Sequence, residues 1–435
     1  MRTPIDDFVK KYADSGVTRL HMPGHKGLGE TERLDITEIG GADSLYHADG
    51  IIAESEANAS QLFGVPTFYS TEGSSQCIRA MLYLAALDAA KKGKKPLIAV
   101  GRNAHSTFVS AVALLDLAVD WLLPEGEHSY LSCPLTAAQV ESYLEHNHPT
   151  ALYLTSPDYL GNTVDVHGIA EVCHRHEVLL LVDNAHGAYL RFLPYSRHPM
   201  DAGADMCCDS AHKTLPTLTG GAYLHVREAF APEAKQALAL FGSTSPSYLI
   251  LASLDRTNRY LSEGYARRLA MFCAKMAEIR ARLTKRGLEL WGDEPLKLTI
   301  APRSYGYTGV ELGEYLEERG FVPEFCDPDC TVLMLSPQVE TDGLEAALTA
   351  LPRREGINAP APRLAGLPKA VMTPRQAIMS PSELLPAREC VGRVAAALTV
   401  GCPPAVPVVV SGEMVEECHV AVLEYYGIEF LRVVK

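Results

Sequence analysis

The sequence predicts an α/β protein: a large domain on a mainly parallel sheet, joined to a smaller α+β domain. Three features carry the prediction. Between residues 67 and 226, short apolar runs alternate with helical segments, the signature of strands buried on both faces under covering helices. From Ser247 to about Arg286, apolar residues recur at helical spacing through Leu251, Leu254, Leu261, Leu269, Phe272 and Met276, a helix long enough to bridge two domains. Beyond it, short strands and helices no longer alternate so regularly. The expected divisions are an N-terminal arm with loops over 1–50, a large domain over 51–246, the bridging helix over 247–286 and a small domain over 287–435.

Length and composition bound the function. A chain of 435 residues exceeds one small core, and 47% hydrophobic with 21% charged residues is ordinary for a soluble globular protein. A formal net charge of −14 argues against nucleic acid or an anionic membrane as partner. Residues 1–7 have no apolar signal core and no later run is long enough to span a bilayer, so the cytoplasm is the expected compartment. The 11 cysteines lack the doubled CxxC spacing of a zinc site and read as reduced thiols, with no metal expected.

Taken in order, His21-Met22-Pro23-Gly24-His25-Lys26-Gly27 is a Pro/Gly turn in which His21, His25 and Lys26 are expected to order the loop or a dimer contact. Ile51–Phe63 has helical spacing, and 67–71 is strand-like. Glu72-Gly73-Ser74-Ser75 then leads into a helix over 76–90, its hydroxyls reading equally as an N-cap or as a phosphate site at a helix N-terminus. Strands follow over 96–101, 121–123, 151–156, 178–183, 204–210 and 220–226, with helices over 106–117, 136–146 and 167–176. Ser245-Pro246 reads as the start of the long helix. Later strands are expected over 297–300, 321–325 and 331–335, and helices over 309–319, 344–351 and 381–398. A hinge is expected over 358–362 and a stiff turn over 401–407.

The chemistry collects at strand ends. The apolar run 178–182 ends in Asp183-Asn184-Ala185-His186, and the run from 204 ends in Ser210-Ala211-His212-Lys213. Ligands of parallel sheets bind beyond the carboxyl ends of the strands, where Ser74, His105, Asp158, Asp183 and Lys213 all fall. A lysine and a carboxylate there suit pyridoxal 5'-phosphate (PLP), which needs an amine for its aldehyde and an acidic partner for its pyridinium nitrogen.

These segments resemble the bacterial ornithine/lysine/arginine decarboxylase family in its short form, among the PLP-dependent enzymes of the aspartate aminotransferase-like fold (fold type I). The resemblance runs through the 21–27 turn, Gly73-Ser74-Ser75, Arg102-Asn103-Ala104-His105, Asp183-Asn184-Ala185-His186, Ser210-Ala211-His212-Lys213 and Ser243-Thr244-Ser245-Pro246-Ser247-Tyr248. It closes on Pro403-Pro404-Ala405-Val406-Pro407 with Ser411-Gly412-Glu413. It implies a seven-stranded, mainly parallel sheet and PLP as cofactor. Lys213 matches the lysine bonded to PLP, Asp183 the carboxylate on the pyridinium nitrogen, His105 the imidazole stacked on the ring and Ala185 the small residue beneath it. Ser74, Ser75 and Ser210 match phosphate ligands, with His212 beside the lysine. His186 reads equally as a site residue or as a histidine satisfied beside the sheet end. Ser243 matches a residue that reaches the phosphate of the neighbouring subunit, implying a homodimer or dimer-based oligomer with active sites at the interface.

The implied reaction is decarboxylation of arginine, lysine or ornithine to the corresponding amine, in polyamine metabolism. Lys213, Asp183, His105 and His212 are the expected catalytic residues, Lys213 serving both in exchange with the substrate amine and as proton donor. The same lysine and aspartate serve aminotransferases and C–S lyases, and a regulatory homologue could keep the fold without the activity. Three positions depart from the family pattern. Asn184 stands where the short members usually carry Glu, Asp158 where Thr is more usual, and Ala405 where Gly is usual. The added carboxylate of Asp158 is expected to alter charge near the ring hydroxyl of the cofactor. Arg375 and Glu383 are expected on the surface, with contact to substrate carboxylate or distal amine as the other reading.

Overall fold

Seven strands form the main sheet: β1 (Thr67–Ser70), β2 (Leu97–Gly101), β3 (Ala118–Leu122), β4 (Ala151–Thr155), β5 (Leu179–Asp183), β6 (Met206–Asp209) and β7 (Ala222–Val226). Their order is β1-β7-β6-β5-β4-β2-β3. β5 runs parallel to β6, and β2 runs parallel to both β3 and β4. β7 is antiparallel to β1 and β6. Every residue of β6 and β7 is buried, which is why these runs read as nearly continuous apolar sequence instead of alternating. The expected mainly parallel seven-stranded sheet is therefore present. The computed structural model describes residues 1–126, 128–359, 361–362, 366–396 and 405–435. It divides into two units, Met1–Lys95 with Val166–Leu269, and Pro96–Asp165 with Ala270–Lys435.

In the first unit, the turn out of β1 depends on Gly73, at φ +72°. A Cβ at Gly73 would meet nothing within 4 Å, so the left-handed conformation and not crowding selects glycine. The Gly73 N–H donates to the Gly220 carbonyl at 2.7 Å, which fixes the start of the helix Ser74–Lys91 beside the turn into β7. Gly73 is the N-cap and Ser74 and Ser75 lie inside the first turn, so the reading of these serines as caps is corrected. The helix Pro4–Ala13 was not expected from sequence; the Asp255 carboxylate accepts its first N–H groups from Ile5 at 2.9 Å and Asp6 at 3.0 Å.

The single helix expected over 247–286 is two helices, Tyr248–Ser262 and Tyr265–Arg286. Gly264 between them has φ +73°, a conformation that ends a helix. The first of the two starts after Ser247, two residues beyond the expected Ser245-Pro246.

In the second unit, the helices Ser106–Leu115 and Ala137–Leu144 accompany β2, β3 and β4. A four-stranded antiparallel sheet follows, in the order Phe325–Cys326, Thr331–Met334, Lys297–Ala301 and Glu289–Trp291. The strand expected over 321–325 is thus confined to its last residue and Cys326. The helix expected over 381–398 is instead the strand Ser382–Pro386, paired antiparallel with Phe430–Val434. Pro386 opposes a helix there, and the strand that completes the pair is remote in sequence. Leu398, Pro360 of the expected hinge and residues 401–404 of the expected turn lie outside the described residues. Among the described residues, no cysteine is in a disulfide and no helix is long and apolar enough to cross a membrane.

Candidate active site

The first unit brings most of the sequence-predicted residues together. β5 and β6 run parallel with Asp183 opposite Cys208, so both strands deliver their carboxyl ends to one edge of the sheet. Asp183, 3% exposed, accepts the Ala185 N–H at 3.1 Å and the Cys208 thiol at 3.6 Å. Ala185 and His186 are buried beside it. Beyond β6, Ser210 leads into the single helical turn Ala211–Thr214 that carries His212 and Lys213.

Ser210 Oγ donates to Ser74 Oγ at 2.8 Å, joining the end of β6 to the first turn of the helix Ser74–Lys91. Lys213 Nζ lies 3.1 Å from His186 Nε2. Burial, with a contribution from the Lys213 charge, lowers the pKa of His212 and favours its neutral form. Chemically this is an amine against an imidazole, a buried carboxylate, and a helix start with hydroxyls clustered on it. Such a start offers N–H groups and the positive end of the helix dipole, a setting for a phosphate. Ser75 is half-buried in the same first turn. Ser243 is exposed; its N–H donates to the Glu72 carboxylate and its hydroxyl accepts the Ser245 N–H at 3.1 Å.

His105 belongs to the second unit. It caps the helix Ser106–Leu115, its Nδ1 accepting the Thr107 N–H at 3.1 Å. A backbone amide can only donate, so Nδ1 carries a lone pair and the neutral ring bears its proton on Nε2. The loop is held by the closing motif: Ser106 N–H donates to the Ala405 carbonyl at 2.8 Å, and buried Arg102 pairs with Glu413 at 2.8 Å. Ala405 itself sits at φ +55°, left-handed backbone in which glycine would be unstrained.

Asp158 is also in this unit. One of its oxygens accepts the N–H groups of Leu160 and Asn162, each at 2.9 Å, and the other accepts Asn162 Nδ2 at 2.9 Å. Burial raises its pKa. The departure from the family pattern therefore shapes its own turn. Arg375 donates to the carbonyls of Ala113 and Leu114 at the end of the 106–115 helix, and Glu383 pairs with Arg393 at 2.7 Å. In the N-terminal loop, His21 meets Tyr12 Oη at 2.6 Å, His25 meets Asp35 at 3.2 Å, and Lys26 donates to the His21 carbonyl at 2.6 Å. These side chains order the loop.

A family model described as Orn/Lys/Arg decarboxylase, major domain, matches residues 3–297, and one described as Orn/Lys/Arg decarboxylase, C-terminal domain, matches 361–432. The chain belongs to the Orn/Lys/Arg decarboxylase family. An arginine decarboxylase of Halalkalibacterium halodurans is 31% identical over 97% of this chain and 92% of that protein. An arginine decarboxylase of Bacillus subtilis is 30% identical over 96% and 92% respectively. Among solved structures, the constitutive lysine decarboxylase of Escherichia coli has a TM-score of 0.78 at 19% identity, covering 100% of this chain and 82% of that one. The Francisella novicida lysine decarboxylase has a TM-score of 0.81 at 16% identity, covering 100% and 81%. At these identities the structures bear on fold alone, and they place the chain in the aspartate aminotransferase-like fold that the motifs implied.

Sequence reasoning passed over one cluster, the buried side chains of His198, Asp209 and His225. The available signal was Asp209 itself, a carboxylate closing a strand that is otherwise fully apolar.

Proposed function

We propose that the protein decarboxylates a basic amino acid with PLP held at the ends of β5 and β6. Family membership across residues 3–297, with Lys213 and Asp183 at the ends of neighbouring parallel strands, is the observation that carries this reading. The donor set fits the cofactor: an amine at Lys213, hydroxyls at Ser74, Ser75 and Ser210 around an N-terminus whose cap is a glycine, and a buried carboxylate at Asp183. When bound, PLP supplies an electron sink for the pair left as the Cα–carboxylate bond breaks.

The chain's own residues set the conditions. Asp183 supplies a buried anion that favours a positive charge on the pyridinium nitrogen. Lys213 Nζ and His186 Nε2, 3.1 Å apart, are placed to share or pass a proton, so His186 reads here as a site residue. His212, kept neutral by its surroundings, limits the positive charge beside Lys213. His105, its Nδ1 tied to Thr107, matches the family's stacking imidazole, and Ala185 matches the small residue beneath the ring. Exposed Ser243 supports a homodimer in which it reaches the phosphate of the neighbouring subunit, and we read the enzyme as cytoplasmic. Arginine is the first substrate to test, because two relatives that are similar over nearly the whole chain carry that name.

Incubation with arginine, lysine and ornithine, following CO₂ and the amine, tests the reading. Decarboxylation of at least one is expected, and Lys213→Ala should abolish both the product and the visible absorbance band of lysine-bound PLP. A keto acid product with pyridoxamine formation would sink it.

A further inference from the structure

Asp209, the last residue of β6, is fully buried and accepts three side-chain hydrogen bonds. Asn184 Nδ2 donates to one carboxylate oxygen at 2.6 Å, and His198 Nε2 and His225 Nε2 lie 3.1 Å from the other. All four residues are 0% exposed. Phe63 packs on both imidazoles, with ring centroids 5.6 Å from His198 and 4.5 Å from His225, closing the cluster off from the surface. Burial alone would raise the Asp209 carboxyl; the two imidazoles reverse that and hold it well below the ordinary range, so it remains an acceptor.

His198, Cys207, Asp209 and His225 also form a set of metal-ligating types, their ligand atoms all within 4.8 Å of one another. The tautomer of His198 favours hydrogen bonding over an ion. Met200 N–H donates to His198 Nδ1 at 3.4 Å, so the ring proton sits on Nε2 and points at Asp209. A ligating histidine would instead turn its bare nitrogen to the metal and donate from the other.

The network reaches the candidate active site through the chain itself. Asn184 lies between Asp183 and Ala185, and Asp209 immediately precedes Ser210. The Asn184–Asp209 bond therefore crosses between the strand end that carries the carboxylate and the one that carries the lysine, reinforced by Asn184 N–H donating to the Cys208 carbonyl at 3.0 Å. A Cβ at Gly187 would come within 2.0 Å of Asn184 Oδ1, so the next turn is packed on the same amide. Asn184, one of the departures from the family pattern, is thus matched to Asp209.

We infer that Asp209 is a positioning residue which, through Asn184, sets the Asp183 strand end against the Ser210-to-Lys213 turn. It governs how tightly the site holds PLP and how well the groups there are aligned, without touching substrate. The inference rests on the PLP reading above.

Asp209→Asn keeps the shape but turns an N–H group toward other donors. Its apo form is expected to bind PLP about 10- to 100-fold more weakly, and kcat to fall by a similar factor with KM within about twofold. Asn184→Ala should act in the same direction, and the double variant should be no worse than the worse single, because both act on the site through the Asn184–Asp209 bond. If Asp209→Asn fails to fold, Asn184→Ala carries the test. Wild-type PLP affinity and kcat in these variants, or fully additive losses, overturn the inference. So does one equivalent of zinc or another transition metal in the purified wild type by elemental analysis, since the cluster would then be a metal centre. A wild type that forms no visible band with PLP overturns the PLP reading and this inference together, a result distinct from a normal wild type with silent variants.

Discussion

Asp183 and Asp209 are the same residue type, the last residues of adjacent parallel strands, and both buried. They differ in what they meet. Asp209 receives two imidazole N–H groups and an amide from its own chain. Asp183 accepts, among its contacts, the N–H of Ala185 two residues on and the thiol of Cys208 on the adjacent strand. Burial by itself does not set the role of a carboxylate; the partners that the fold brings to it do. A carboxylate reached by three side chains from separate segments ties the fold, whereas Asp183 is the one that the proposed function assigns to a cationic group brought from outside.

The largest expected effect separates the two by function. Asp183→Ala should lower kcat by about 10²- to 10³-fold, the scale of losing one preorganised electrostatic partner, while the unfolding midpoint moves little; steady-state kinetics and a denaturant titration measure both. Asp209→Ala should do the reverse in stability. Three buried donors lose their acceptor, at a cost of about 3–5 kcal/mol, read from denaturant unfolding. Equal stability losses in the two variants would break the comparison.

Titration sharpens it, with Asp255 as a third case. Asp209 has a folded pKa below its ordinary value of 3.8, so it contributes stability above that pH and loses it as the pH falls further. Asp255, capping the first helix with Asp6 nearby, is raised to about 6, chiefly by burial. Its contribution is present below 3.8 and lost as pH rises through about 6. Asp255→Asn should therefore flatten the fall in stability between those values, and Asp209→Asn the fall below 3.8, in unfolding midpoints measured across pH.

Smaller effects lie away from these strands. Ala405→Gly, relieving left-handed backbone, should add about 1 kcal/mol. Glu383→Ala, which breaks a half-exposed pair with Arg393, should cost at most about 1 kcal/mol and leave kcat and KM unchanged. A large loss of activity on Glu383→Ala would return that residue to the substrate site.

The strand ends were legible because their signals are local. Val182-Asp183 and Cys208-Asp209-Ser210 are apolar runs broken by a charge, and any parallel sheet presents such breaks at one edge. Lys213 stood out for the same reason. The break at Gly264 and the strand Ser382–Pro386 were not legible. A glycine within a helical pattern does not announce its φ, and a strand whose partner lies at 430–434 has no local mark of that pairing. The turn contacts of Asp158 were not legible either, since its donors from Leu160 and Asn162 appear only once the turn is folded.

The sequence by itself determined the α/β class, the family and the residues at the strand ends, because periodicity, strand length and motif order are properties of short windows. Only the tertiary structure decided what Asp209 is tied to. Asn184, His198, Asp209 and His225 come from separate segments, and the strength of a buried hydrogen bond depends on which donors the fold gathers around the acceptor.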